Sequence, residues 1–535
     1  MNKQHLQQKP YIPFVVTSLL MWVALYFIFP FYQYYVDPDG TAYLTISQRY
    51  ADGDWLTAIN GLWSPWGCWL TALLIKTGMQ PIPAGVVVNA IGAMGFHYIS
   101  ESLFMRFGLT LVQRWWANAA MAFFLCFAVF WQSFDDLWGC FFMLCVLRIM
   151  LAEGYIRRPG LWVATGMCGA LAFFAKAYSL PYFILAVGAG SFALARGDKR
   201  QWLKIMFVAA PVMIACSFPW LFALRMKYGI WTSSTAGPLN MSWYLVGHPT
   251  WKEGIDILVP PIYPDSVNFW EDPWYVNGAL SHYWDSWYLV RRQVLKLGYN
   301  TLMLIWCMIE ISPVLPLMGI MVLWQIRRFR SVPAELLAVC IFMITLPLGY
   351  VMVHLESRYL WLMLPLAIIV SARELPGGVM PRLWAWMFPL FIAGMLWFPA
   401  WKLVAMHNIG KAEYMLAQRL KAEGFTGVDF ASNIHSRLLS RIMYFSGNRF
   451  FVVNRQKAGF KGENKVANTG QLVRDMKRHR ISYYLYAPAG SSMMHGPDFD
   501  AIFMDNLRDG RAPITMTPVL EDTASGAIVY RVMYE

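Results

Sequence analysis

Charge is what this 535-residue sequence has least of: Asp, Glu, Lys and Arg together make up 14%, against roughly 25% in an ordinary soluble domain. Disordered chains are rich in charge and poor in apolar residues, so that class is excluded. A soluble multidomain enzyme is a poor match for the same reason. Cysteine is also sparse. Eight are present, at 68, 126, 140, 145, 168, 216, 307 and 340, with no Cys-x-x-Cys pair and none after Cys340. All but Cys68 lie in apolar runs, where cysteine acts as a small packing residue, so a disulfide scaffold and a thiolate metal site are excluded. Nucleotide and hydrolase signatures are missing too: there is no P-loop, no HExxH, no GxSxG, and no GxGxxG in a βαβ setting.

What is abundant is apolar: 58% of residues. The apolar residues fall in long runs near 12–31, 83–105, 115–131, 136–152, 161–176, 178–195, 203–224, 299–325, 334–351, 359–372 and 383–401. Each approaches the roughly 20 residues that cross a bilayer core, which predicts a polytopic α-helical membrane protein of about eleven spans. The first run has no small-residue cleavage site after it and reads as a transmembrane helix, not a removed signal. The shorter stretch 65–78 reads as interfacial or half-inserted.

The net charge of +13 would suggest nucleic acid in a soluble protein. Here the cations sit in short loops between apolar runs, and no nucleic-acid partner is expected. With the N-terminus in the cytoplasm, the inner loops hold Arg106 and Arg114; Arg157 and Arg158; Arg196, Lys199, Arg200 and Lys204; Arg327, Arg328 and Arg330; Arg373 and Arg382. The positive-inside rule then predicts a multi-pass protein of a bacterial inner membrane, N-terminus in and C-terminus out. Two outer loops are long, 31–82 and 225–298. Past residue 400 the charge density rises and apolar runs shorten to strand length. Strands are predicted at 426–431, 449–453, 481–487, 515–520 and 527–533, and helices at 409–423, 433–444, 468–479 and 499–508. The expected organisation is a transmembrane catalytic domain, 1–400, followed by a small periplasmic α/β domain, 401–535.

Ionisable residues at membrane depth are expensive and are candidates for function. On this topology four groups share the outer side. Asp37 and Asp39, with Tyr43, follow the first span; they read either as a turn before a helix or as a carboxylate pair serving as base or metal ligand. Asp135 and Asp136 open the fourth span; one carboxylate suffices for a helix cap, and the second asks for another role. Lys176, between two spans, reads as a snorkelling lysine or as a point charge for phosphate. His354, Glu356, Arg358 and Tyr359 form either a polar turn with Glu356 and Arg358 paired, or an anion site built on the arginine fork. Loop 225–298 is dense in aromatics, among them Trp243, Trp251, Trp270 and Trp284. These fit an interfacial belt and equally a surface that stacks on sugar rings.

Four of these segments, in this order, resemble the GT-C superfamily of integral-membrane glycosyltransferases. The likeness is to bacterial members of the dolichyl-phosphate-mannose-protein mannosyltransferase and lipid A aminoarabinose transferase group. Asp39 with Tyr43 matches an acidic residue, three intervening residues and a tyrosine in the first outer loop. Ser133 to Leu137 matches an acidic motif opening the fourth span. Ala172 to Pro181 matches a small-apolar segment carrying a lysine, Lys176. Glu356-Ser357-Arg358-Tyr359, followed by Pro365, matches an acidic-x-Arg-Tyr opening of a late span. The mannosyltransferase pattern has Asp-Glu where this chain has Asp39-Gly40, which leaves Asp37 as the remaining neighbouring carboxylate. The likeness covers about residues 1–400.

The resemblance implies transfer of a sugar from a polyprenyl-phosphate-linked donor to a periplasmic or outer-leaflet acceptor, whether lipid, glycan or protein, with inversion. It makes Asp39 the base and Asp136 the residue that orients the acceptor or holds a metal. Lys176, Arg358 and His354 then face the leaving phosphate, with Asp37, Tyr43, Asp135, Glu356 and Tyr359 lining the substrate. Some relatives use a divalent cation and others do not, so no cofactor is assigned. The competing readings are a lipid-linked glycan ligase or polymerase, and a transporter or flippase with a periplasmic domain.

Overall fold

The computed structural model describes residues 11–131, 134–246, 258–276, 280–327, 331–372, 381–453, 469–494, 501–510, 512 and 514–534. Ser133, Trp251, Arg328, Arg330 and Arg373 lie outside the described residues. The chain divides into two compact units, each assembled from separated stretches. The first takes Met1–Pro30, Ser64–Ser234 and Gln293–His407; the second takes Phe31–Trp63, Thr235–Arg292 and Asn408–Glu535. Most of each long outer loop is thus grouped with the C-terminal residues, which were expected to stand as a separate domain from 401.

The first unit is helical. Among the described residues six helical stretches are long and apolar enough to cross a membrane, including Ile12–Tyr32, Pro81–Arg106 and Lys199–Tyr228. Shorter apolar helices, Pro159–Ala175, Ser179–Leu194 and Met363–Ala372, accompany them. Their outward faces carry exposed Leu19, Leu20, Phe27, Phe207 and Leu302. So much exposed hydrocarbon is stable only against lipid, so the protein is a multi-pass membrane protein. Two expected spans are interrupted, and the run 334–351 is one of them: its helix stops at Thr345 and resumes at Leu348. The run 299–325 forms two helices, Trp287–Ile311 and Leu315–Arg327. Pro313 sits at the break, where its missing N–H cannot continue the ladder. The first of these helices also begins inside what the sequence presents as an outer loop, because residues 287–298 are amphipathic, not polar. The stretch 65–78 is a helix, Pro65–Lys76, with Pro65 at its first position.

Charges in this unit sort to two ends. Arg106 Nη2 donates to Glu335 Oε1 at 2.6 Å, Arg148 Nε to Ser102 Oγ at 2.9 Å, and Arg196 Nη1 to the Val332 carbonyl at 2.9 Å. These contacts gather one set of helix ends. The opposite ends of the helices that carry Arg148 and Glu335 lead to Asp135 and to the 354–359 turn. Arg114, expected in a loop, is instead buried. A capping box between Thr110 and Gln113 starts its helix and turns the guanidinium inward to Glu101, whose other oxygen accepts from Asn118 at 2.8 Å.

The second unit holds a five-stranded sheet. Its order is Arg449–Phe450, Asp429–Ser432, Tyr483–Tyr486, Ala527–Tyr534, Ile514–Asp522. The first three strands are parallel, and the last two form an antiparallel hairpin. Parallel neighbours need a crossover, and helices Ser436–Ser446 and Thr469–Arg478 occupy the stretches between them. Ala431, Leu472, Met476, Tyr484 and Phe503 pack into its core. The small α/β architecture expected from the sequence is therefore present. A strand from the loop, Leu258–Val259, pairs antiparallel with Val452–Val453.

Arg49 locks the loop into this unit. It lies on helix Pro38–Asp52 and is 2% exposed. Its Nε donates to Asp265 Oδ2 at 2.6 Å, and its Nη2 to Glu271 Oε2 at 2.5 Å and Ser266 Oγ at 2.9 Å. Glu271 also accepts from the Val267 N–H at 2.7 Å. Burial pushes the Glu271 carboxyl up to about 7 from an ordinary 4.5, although Arg49 pulls it down.

Two outcomes follow from this lock. Arg49→Gln leaves a buried carboxylate without its charge partner, and should cost about 3–5 kcal/mol in unfolding of the detergent-solubilised protein. Folding also favours protonated Glu271. Its contribution is full below about 4.5 and is lost as pH rises through about 7. The wild type should therefore lose more thermal stability than Glu271→Gln between about pH 5 and about pH 8. Equal slopes for the two proteins would show that Glu271 does not titrate there.

Candidate functional site

The helix Phe134–Met150 carries Asp135 and Asp136 in its first turn, where carboxylates complement the positive helix end. Asp136 is 2% exposed. Lys176 is the residue at which helix Pro159–Ala175 stops; its backbone turns extended there. The side chain does not snorkel outward. Its Nζ donates to Asp136 and, at 3.2 Å, to Asp135 Oδ2. Gly139 makes the approach possible: a Cβ there would stand 3.2 Å from Lys176 Cβ.

The 354–359 turn supplies the other wall. Arg358 Nε donates to Glu356 Oε2 at 2.7 Å and lies 3.7 Å from Asp136 Oδ2. His354 Nε2 lies 3.3 Å from Glu356 Oε1. Burial works against the charge on Glu356, but Arg358 and His354 outweigh it and hold the carboxyl down to about 2. The ring of Tyr359 lies under both cations, 4.6 Å from Lys176 Nζ and 5.3 Å from the Arg358 guanidinium. Tyr350 stacks on Tyr359 at 4.5 Å, and Tyr178 lies against Tyr350 at 3.9 Å. Tyr178 Oη accepts from the Gly349 N–H at 3.0 Å; a Cβ on Gly349 would meet that ring at 2.3 Å.

The structure thus gathers Asp135, Asp136, Lys176, His354, Glu356, Arg358 and Tyr359 from three parts of the chain. Its electrostatics differ from a bare anion site. Glu356 takes Arg358, the simpler of the two pairings the sequence allowed, and Lys176 serves two carboxylates. A phosphate arriving here must compete with carboxylates already in place. Asp136 Oδ2, buried, accepts no hydrogen bond among the described residues, so the cluster offers an oxygen to a donor hydroxyl as well. Among the described residues no three His, Cys, Asp or Glu side chains gather as a metal ion would need.

Asp37, Asp39 and Tyr43 belong to the second unit. Asp37 is the N-cap of helix Pro38–Asp52, its Oδ1 accepting from the Gly40 N–H at 2.7 Å. That is the turn reading of Asp37. Asp39, half-buried, accepts a hydrogen bond from Trp270 Nε1 at 3.1 Å. Trp243 stacks on Trp270 at 5.3 Å, and Trp63 meets Trp270 edge-on at 6.2 Å. Tyr43, one turn after Asp39, is buried with its ring 5.1 Å from Trp63. Asp39 therefore sits at the margin of a tryptophan surface, chemistry suited to a sugar face. The Arg49 lock holds this surface: Glu271 is the neighbour of Trp270, Asn60 Nδ2 donates to the Glu271 carbonyl at 2.6 Å, and Trp63 Nε1 donates to the Trp270 carbonyl at 3.2 Å.

Trp63, Trp270, Arg49, Glu271, Tyr178 and Tyr350 are the residues that reading the sequence did not single out for these roles. The aromatic density of loop 225–298 was the one available signal for Trp270. Arg49 and Glu271 had none, because their pairing spans more than two hundred residues.

No family model matches the sequence, and no curated protein matches it. Solved structures do match in fold. ArnT from Cupriavidus metallidurans bound to undecaprenyl phosphate superposes with a TM-score of 0.53 at 13% identity, covering 97% of this chain and 97% of that one. The apo state of the same protein gives a TM-score of 0.52 at 14% identity, covering 97% and 96%. The fold implied by the four sequence segments is the fold of this chain, which it shares with ArnT over nearly its whole length.

Proposed function

We propose that this protein is a membrane glycosyltransferase that moves a sugar from a polyprenyl-phosphate-linked donor to an acceptor hydroxyl or amine at the outer face of a bacterial inner membrane. The observation that carries the reading is the fold shared end to end with a protein solved with undecaprenyl phosphate bound. The residues supply matching chemistry. Asp39 is the candidate base. It takes the acceptor proton as the acceptor atom bonds to the anomeric carbon, and the bond from that carbon to the phosphate oxygen breaks with inversion. The polyprenyl phosphate leaves as an anion, and Lys176 and Arg358 are the cations offered to it. Trp243 and Trp270 give the sugar a face beside Asp39. The proposed orientation has the N-terminus in the cytoplasm and residues 401–535 outside, which the distribution of loop cations supports.

The transport reading is the weaker one. Transporters place their ion and substrate sites near the midplane, in paired halves. Here the cluster stands at helix ends, at Asp135 in a first turn and at Lys176 after a last one.

Two experiments test the proposal. Asp39→Asn is nearly isosteric and should reduce transfer from a polyprenyl-phosphate sugar by about 10²–10⁴-fold, with the protein still folded. Turnover within a few-fold of the wild type would remove Asp39 as the base. Cell-envelope glycans compared by mass spectrometry with and without the gene identify the sugar and acceptor for that assay. For the leaving group, Lys176→Ala should weaken binding of a short-chain polyprenyl phosphate by about ten- to hundred-fold. Asp135→Asn should strengthen it, because it frees Lys176 from a competing carboxylate. Unchanged affinity in both variants would show that the pair is structural and that the phosphate binds elsewhere.

A further inference from the structure

The helix Pro159–Ala175, which ends beside Lys176, begins about 25 Å away by helical rise. At that far end a cleft of about 990 Å³ opens between its start and the start of helix Lys199–Tyr228. Arg157, Lys199, Arg200 and Lys204 line it, together with Trp162 and Phe207. All four cations are exposed, and none forms an ion pair among the described residues. The adjacent acid, Asp198, is committed to the helix start, accepting from the backbone N–H groups of Arg200 at 3.0 Å and Gln201 at 3.2 Å.

Loop cations by themselves follow the positive-inside trend. Their position here is harder to explain by that trend. Lys199, Arg200 and Lys204 occupy the first two turns of a helix, where the macrodipole already places positive charge and where cations are unfavourable. An arrangement that costs local stability is relieved by an anion. The walls are also fixed in place. Gln201 Nε2 donates to the Ile156 carbonyl, and Trp162 Nε1 donates to the Tyr155 carbonyl at 2.7 Å, so the turn bearing Arg157 is tied to both helices.

The chemistry along the cleft changes with depth. Arg200, Lys204 and Phe207 follow at spacings of four and three, on one helix face. Over about 10 Å of rise that face passes from guanidinium to ammonium to an aromatic ring that is 75% exposed. Trp162 is buried at the side. Phosphate followed by hydrocarbon is the same sequence of groups. A free phosphate has no use for Phe207, and a choline head group brings its own cation against the four already there.

We propose that this cleft binds one anionic diacyl phospholipid in the leaflet opposite the Lys176 cluster. Its phosphate lies among Arg157, Lys199, Arg200 and Lys204, and an acyl chain lies along Phe207. The site is independent of the sugar-transfer reading, since none of its residues belongs to the candidate machinery.

The test is native mass spectrometry of the detergent-purified full chain titrated with phosphatidylglycerol, phosphatidylcholine and water-soluble glycerol 3-phosphate. Each cation near a lipid surface contributes about five-fold in affinity. The triple variant Lys199→Gln, Arg200→Gln, Lys204→Gln should therefore lose about a hundred-fold for phosphatidylglycerol and fall to the level of phosphatidylcholine. Phe207→Ser keeps every charge and should weaken the lipid several-fold while leaving glycerol 3-phosphate unaffected. Lys204→Gln alone, an exposed single change, should show an intermediate loss even if the triple variant does not fold. Equal binding of the two phospholipids by the wild type, or undiminished phosphatidylglycerol binding by Lys204→Gln, would overturn the proposal. Displacement of the lipid by an equal concentration of glycerol 3-phosphate would show a soluble-phosphate site in its place.

Discussion

Lys176 bridges Asp135 and Asp136, and the architecture of that end of the first unit follows from holding this contact. A lysine at a membrane edge ordinarily reaches for water. This one is drawn back by two carboxylates in the first turn of the next helix in space. The close approach needs Gly139, where a side chain would press on Lys176. It also sets Tyr359 beneath the ammonium, and Tyr359 stacks on Tyr350, which in turn rests on Tyr178. Tyr178 then fixes the helix break near Gly349 through its hydroxyl. One ion contact thus sets the order of three separate segments. Because Asp136 is buried, the cluster is strong only while complete: removing the ammonium would strand a carboxylate in a low-dielectric site.

The second unit solves a parallel problem with Arg49. The loop that carries Trp270 has no regular structure long enough to hold itself. Its backbone and side chains are instead gathered onto one guanidinium, with Asp265, Ser266 and Glu271 as partners. A planar fork suits this task, since it fixes direction as well as distance. The result is a tryptophan surface beside Asp39, with Trp243 on helix Ala236–Val246 and Trp270 in the single 3-10 turn Phe269–Glu271. Rigid support under a binding surface keeps positioning entropy from being lost again each time a substrate binds.

What the sequence made legible divides by range. The membrane class, the small α/β tail and most helix positions are local properties of composition and periodicity, and they came through. The run 299–325 did not, because hydrophobicity is blind to the donor that Pro313 lacks. The ends at which Asp135, Lys176 and Glu356 lie could be sorted by alternation of loop charges. Their pairing could not, since it depends on which helix neighbours which. Arg114 shows the same limit: its place next to a loop suggested an exposed cation, while a capping box turned it inward onto Glu101. Trp270 lay in a stretch where every tryptophan was equally plausible until Asp39 picked one out.

The two aspartates after the first span show how environment divides labour between equivalent side chains. Asp37 and Asp39 are two residues apart and chemically the same. Asp37 faces back along its own helix, and an oxygen is taken by the Gly40 N–H. Such a carboxylate is an anchor: moving it unwinds the first turn. Asp39 faces the tryptophans and accepts a hydrogen bond from an indole N–H, which gives the carboxylate a direction. A base needs a fixed direction toward the proton it takes. Asp136 has the opposite setting, with two cations nearby and almost no exposure. In the proposed mechanism the three carboxylates divide accordingly: Asp39 is the one held beside the tryptophans, Asp37 belongs to the helix start, and Asp136 holds Lys176 and lies near Arg358.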